Sequence, residues 1–171
     1  MKLPILEVPD PRLWQKAAPV ETVDAEIGQL MEEMLETMYA VPGIGLAAPQ
    51  VGVLQRVVVV DVSGKDKAPA PLCMVNPELL WASVEQSLCK EGCLSVPDQY
   101  AEVSRPSRIR VRYLDHRNEC CNLEADGLLA TVIQHEMDHL EGVLFVDYLS
   151  KLKRDMIVRR VQKTRRLRES A

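Results

Sequence analysis

From residue 24 the apolar positions recur with a helical period. Ile27, Leu30, Met31, Met34, Leu35 and Met38 fall at i, i+3, i+4, i+7, i+8 and i+11. Asp24 is placed to cap such a helix and Pro42-Gly43 to end it. The methionines on this stripe read as core rather than as a binding groove, because the stripe must be buried. Residues 57–62 are a β-branched run that predicts a buried strand, and residues 108–114 alternate polar and apolar, predicting a half-buried one. Shorter strands are expected near 72–80, 82–90 and 119–124, with a turn at 115–118. Residues 4–20 hold four prolines and read as an irregular arm, residues 43–52 as a Gly-rich loop and residues 63–71 as a second loop. A helix is expected over 126–141 and a last one over about 148–168, with Leu149, Leu152, Met156, Ile157 and Val161 as its apolar stripe. Strands that cluster between helices predict an α+β fold: antiparallel or mixed β-sheets around a central helix, with an N-terminal and a C-terminal helix.

Composition narrows the class. A chain of 171 residues is expected to form one domain, residues 1–171. With 47% hydrophobic and 27% charged residues it reads as globular, which excludes disordered and fibrous chains. No run of 18 apolar residues exists, and residues 1–30 lack the apolar core of a secretory signal, so neither a membrane span nor export is expected. Five cysteines, an odd count with Cys120 and Cys121 adjacent, read as reduced thiols in a cytoplasmic setting. Charge is uneven. Residues 151–171 carry nine bases against two acids, net +7, while residues 1–150 carry 12 bases against 23 acids, net −11. A basic tail on an acidic body fits a polyanionic partner, and it equally fits a solvated helix face.

The chemistry concentrates in His135-Glu136-Met137-Asp138-His139. On a helix, positions i and i+4 share a face, so both imidazoles reach one divalent metal. Glu136 lies about 100° around the helix, where it reaches a water rather than the ion. Leu128 and Val132 share the histidine face, so that face is expected to be buried. Two histidines leave a catalytic site one protein ligand short. Position 145 is Phe, where the long protease pattern HExxHxxGxxH requires His. Some twenty residues downstream, where a thermolysin-like Glu would stand, lies the basic last helix, and there Asp155 is the only acid before Glu169. His116 sits in the expected turn. Among the cysteines, Cys93 in Glu91-Gly92-Cys93-Leu94-Ser95-Val96-Pro97 is a modest favourite. Cys73, Cys89, Cys120 and Cys121 lie in strand-like runs and read as small, partly buried residues.

Three segments together resemble the peptide deformylase family, whose motifs have the forms G-φ-G-φ-A-A-x-Q, E-G-C-φ-S and Q-H-E-x-D-H. The chain has Gly43-Ile44-Gly45-Leu46-Ala47-Ala48-Pro49-Gln50, Glu91-Gly92-Cys93-Leu94-Ser95 and Gln134-His135-Glu136-Met137-Asp138-His139, in that order and without a gap. The resemblance spans nearly the whole chain, including the C-terminal helix of the family's bacterial type. It implies hydrolysis of the N-formyl group from the formyl-methionine of new peptides. It implies one divalent metal per chain on Cys93, His135 and His139, with Fe²⁺ native and Zn²⁺ or Ni²⁺ in some preparations. It further implies Glu136 as the group that moves the water proton, and the Gln50 amide and Leu94 backbone N–H as oxyanion donors. Gly43, Ile44, Gly45, Glu91 and Gly92 would meet the extended peptide, and Ile44, Thr131 and Val132 would line an apolar methionine pocket. Trp14 and Tyr100 stand where many or some members have Arg. The implied setting is the bacterial cytoplasm, with nascent N-formyl-methionyl peptides as substrates and no role for DNA or membrane. The basic C-terminal helix would meet the rRNA surface of the ribosome.

Two other classes remain open on the sequence. A metallo-endopeptidase would use the same HExxH, although Phe145 and the missing acid count against it. A ribosome- or RNA-binding module with a structural metal would need a fourth protein ligand.

Overall fold

The computed structural model describes residues 1–170. Helix α1 spans Ala25–Ala40 and begins where the Asp24 carboxylate accepts the Ile27 N–H at 3.0 Å. It buries Ile27, Met31, Met34 and Met38. Strand β1, Gly45–Ala47, pairs antiparallel with β2, Val57–Val60, and β2 with β3, Leu72–Ala82. Two strands form a separate ribbon, β4, Gln86–Cys93, and β5, Val96–Pro106. Strands β6, Arg108–Leu114, and β7, Cys120–Asp126, complete the larger sheet in the order β1-β2-β3-β6-β7. Helix α2 covers Gly127–Leu140 and α3 covers Lys151–Glu169.

The four valines of β2 are all buried because both faces of the strand are covered. Val58 and Val60 join a core with Ile133 and Leu140 of α2, whereas Val57 and Val59 pack with Met31, Met34 and Met38 of α1. A strand between two helices reads as a continuous apolar run rather than as an alternation. Strand β6 alternates as expected, with Ile109, Val111 and Tyr113 buried and its three arginines exposed. A third cluster joins Val8 and Leu13 of the arm, Val96 and Val103 of β5, Phe145, and Ile157 and Val161 of α3.

The structure corrects several expectations. All strand pairings in the two sheets are antiparallel, so the mixed alternative falls away. The 43–52 loop contains β1 and a 3-10 turn, Ala48–Val51. Its partner β2 lies beyond the next turn, so the strand has no local apolar pattern of its own. The 11-residue β5 has no counterpart in the reading above. Pro97 and Pro106 break its pattern, and its place is fixed by register with β4 from Gln86↔Pro106 to Gly92↔Tyr100. Leu128 is 51% exposed, so the first turn of the histidine face is open. On α3, Leu152 is 72% and Met156 41% exposed, and only Ile157 and Val161 of the expected stripe are buried in the helix.

Candidate active site

Three elements bring the chemistry together. The end of β4 presents Cys93, the middle of α2 presents His135, Glu136 and His139, and the 3-10 turn after β1 presents Gln50. One ligand atom each from Cys93, His135 and His139 lies within 4.8 Å of the others. Cys93 Sγ is 3.3 Å from His139 Nε2. Tetrahedral sulfur and nitrogen ligands on a common first-row ion sit about 3.5 Å apart, from M–S ≈ 2.3 Å and M–N ≈ 2.0–2.1 Å. The donor set is soft thiolate plus imidazole, which suits zinc or iron. Two buried polar atoms beside it, Glu136 Oε1 and His139 Nδ1, have no partner. Buried polar atoms without partners are rare; His139 Nδ1 lies on the ring edge away from Cys93, so it is the Glu136 oxygen that marks a place built for more than protein atoms. The residues therefore fit a metal.

Behind the histidines runs a buried chain of charge. His135 Nδ1 lies 2.9 Å from Glu91 Oε1, which leaves Nε2 for a ligand role. Arg105 donates to both oxygens of the same carboxylate, at 2.6 and 2.9 Å, and to Asp138 at 2.8 Å. Tyr148 Oη donates to Asp138 at 2.7 Å. Glu91 and Arg105 are 4% and 6% exposed at their side chains. Such a partner fixes ring orientation and strengthens the imidazole as a ligand. Burial alone would raise the Glu91 carboxyl, but His135 and Arg105 outweigh it and hold it below its ordinary range. Burial pushes the Glu136 carboxyl up to about 7, relieved only in part by His135. Burial also favours neutral imidazoles; Glu136, Cys93 and Glu91 reverse this at His135, whereas His135 and Arg105 reinforce it at His139.

Gln50 is 1% exposed and its amide is fixed at both ends. Its Oε1 accepts the Ala47 N–H at 2.9 Å, and its Nε2 donates to Ser95 Oγ at 3.1 Å and approaches Cys93 Sγ at 3.4 Å. The N-terminal arm holds the same region from outside: Leu6 N–H bonds the Gln50 carbonyl at 2.7 Å and Val8 N–H the Ser95 carbonyl at 2.9 Å. Gly45 is set directly against α2. A Cβ there would meet the Glu136 carboxylate, and would come within 2.8 Å of Val132 Cγ1.

Over Cys93 opens a cleft of about 470 Å³ between Gly43, Ile44 and Gly45 on one side and Gly92, Leu94 and Tyr100 on the other. Ile44 is 41% exposed into it. Thr131 and Val132 do not line this cleft. Both are buried on α2, Val132 in the core with Val58 and with its Cγ1 close beneath Gly45 of the rim. The Glu91 side chain is likewise turned away from the peptide rim, behind His135. Arg105, Ser95 and Tyr148 were missed. Arg105 sits on the unforeseen β5, and nothing in its spacing from the motifs signals that it meets Glu91. Trp14 donates through Nε1 to Asp147 and lies beneath Arg154, tying the arm to α3.

A family model described as polypeptide deformylase matches residues 2–155. The peptide deformylase of Rhizobium meliloti (strain 1021) is 53% identical over 165 residues, covering 96% of this chain and 95% of the relative. A crystal structure of peptide deformylase from Ehrlichia chaffeensis superimposes with a TM-score of 0.94 at 44% identity, over 98% of each chain. A second structure of that enzyme, in complex with actinonin, gives 0.90 at 44% identity over 95% of this chain and 97% of that one. A Met-Ala-Ser-bound peptide deformylase from Acinetobacter baumannii gives 0.83 at 37% identity, over 87% of this chain and 99% of that one.

Proposed function

The chain belongs to the polypeptide deformylase family, metallo-hydrolases that remove the N-formyl group from nascent peptides, and on that premise we propose how its own residues do so. The observation that carries the reading is the convergence of Cys93, His135 and His139 beside the buried, unpartnered carboxylate of Glu136. Cys93, His135 and His139 hold one divalent metal, Fe²⁺ in the native protein, with Zn²⁺ or Ni²⁺ able to take its place. When bound, it supplies Lewis acidity that activates a water and polarises the formyl oxygen.

Glu136 accepts the proton of the attacking water and returns it to the amine that leaves as the C–N bond breaks. A carboxyl pushed up by burial suits both halves of that task. The Gln50 amide and the Leu94 backbone N–H donate to the oxyanion on the formyl carbon. Because Ala47 and Ser95 already fix the Gln50 amide, it needs to give up only its 3.4 Å contact with Cys93 Sγ as charge develops. Gly43, Ile44 and Gly45 align the extended peptide by main-chain pairing, with Gly92 opposite, and Ile44 and Leu94 offer apolar contact to the methionine. The Met-Ala-Ser ligand of the Acinetobacter baumannii structure is a peptide of the kind this cleft would take. Tyr100 brings a ring rather than a guanidinium to its place on the rim, with the Lys90 ammonium 5.5 Å over that ring.

The setting is the bacterial cytoplasm, where chains emerge from the ribosome. Helix α3 carries Arg159, Arg160, Lys163 and Arg166 exposed on a scaffold anchored by Ile157 and Val161, a ridge suited to rRNA phosphate. No helix among the described residues is long and apolar enough to cross a membrane. One sample analysed for metal content and for formate release from formyl-Met-Ala-Ser tests the reading. Stoichiometric metal with rapid release is expected; casein cleavage without formate release would overturn it in favour of an endopeptidase.

A further inference from the structure

Next to the cleft lies a second groove of about 560 Å³, between the β4–β5 ribbon and α3. Gln99 and Tyr100 line both, so the cleft above Cys93 and this groove are neighbours that share these two residues as a wall. Its walls carry apolar side chains left in water: Leu88 at 66%, Tyr100 at 60% and Met156 at 41% exposed. Contiguous apolar exposure of this kind marks an interaction surface more often than scattered single residues do. Its charge is mostly positive. Lys153 and Arg160 of α3 line it against one acid, Glu102, and Lys90 sits 5.5 Å over the Tyr100 ring at the junction.

We propose that this groove is an exosite for the substrate polypeptide itself, engaging the residues that follow those held in the cleft and favouring apolar and acidic side chains there. The proposal rests on the deformylase reading above. A nascent chain entering the cleft by its N-terminus must lead its remaining residues out past the rim. At the shared residues Gln99 and Tyr100 that exit meets the groove directly. An extended chain advances about 3.3 Å per residue, so four added residues reach about 13 Å beyond the cleft. The α3 groove thereby recruits long substrates over short ones without touching the reacting atoms.

Steady-state kinetics with formyl-Met-Ala-Ser and with nine-residue extensions of it, one ending in Leu and Glu residues and one in Gly and Lys, test this. The acidic-apolar extension is expected to lower KM about tenfold relative to the tripeptide, at similar kcat, and the basic one to give little gain. Leu88→Glu on one wall and Lys153→Glu with Met156→Glu on the other should each abolish the gain and leave the tripeptide rate unchanged. All three positions are exposed, so the fold should tolerate them. Equal KM for tripeptide and acidic extension in the wild-type protein, or an undiminished gain in both variants, would overturn the exosite. The tripeptide rate reports the reaction and the long-to-short ratio reports the groove, so the two readings fail separately.

Discussion

Replacing Arg105 with Met removes three charge-assisted bonds in one step, two to Glu91 and one to Asp138. Their loss falls unevenly. Asp138 is 23% exposed at its side chain and keeps Tyr148, so water repairs its share. Glu91 is 4% exposed and keeps only His135, so its charge is left buried and under-compensated. Breaking a buried pair from one side costs about 3–5 kcal/mol. In a chain of this size that corresponds to a fall in Tm of roughly 6–20 °C. Because Glu91 also orients His135, affinity for the metal should weaken about 10–100-fold. Urea unfolding gives the first quantity and competition with a chromophoric chelator the second. Adding Glu91→Gln to Arg105→Met should recover part of the stability, since no lone charge remains, while leaving the metal affinity low. The sign with pH is fixed. Glu91 is held below its ordinary value in the folded protein, so its contribution is present above that value and fades as pH falls through the carboxylate range. The penalty of Arg105→Met should therefore shrink in acid. A cost below about 1 kcal/mol at neutral pH with unchanged chelator competition would refute the buried-pair account.

Cys93→Ser should lose metal and activity together, because a hydroxyl is a poorly ionised donor, and full metal content by elemental analysis would count against the ligand assignment. Glu136→Gln should retain one metal per chain while turnover drops by about 10²–10⁴; loss of metal instead would make Glu136 a ligand. Gly45→Ala should keep the metal but lower kcat by about 10²-fold, since the new methyl meets the Glu136 carboxylate and displaces it; unchanged kcat would show that the strand can shift away. Changing Arg159, Arg160, Lys163, Arg165 and Arg166 to Gln should abolish a salt-sensitive co-sedimentation with ribosomes and spare activity on formyl-Met-Ala-Ser, which is too short to reach Arg160; unchanged co-sedimentation would reduce α3 to a solvated face.

What the sequence determined by itself was local and periodic. The α1 stripe, the valine run of β2, the alternation of β6 and the His135–His139 spacing each follow from one element's own geometry, and each stands where expected. The three motifs were legible because each holds its chemistry within a few residues. What only the tertiary structure decided were relations between distant segments. Strand β5 exists because β4 offers it a register, in spite of its prolines. Arg105 meets Glu91 across that same ribbon, and a pairing 14 residues apart leaves no periodic trace. Gly45 has its reason 91 positions along, where the Glu136 carboxylate lies against its Cα. Burial on α2 and α3 was misjudged at Leu128, Leu152 and Met156 because helical phase tells which residues share a face, not how far along the helix its neighbours reach. Periodicity fixes the direction in which a side chain points, and packing alone decides what, if anything, is there to meet it.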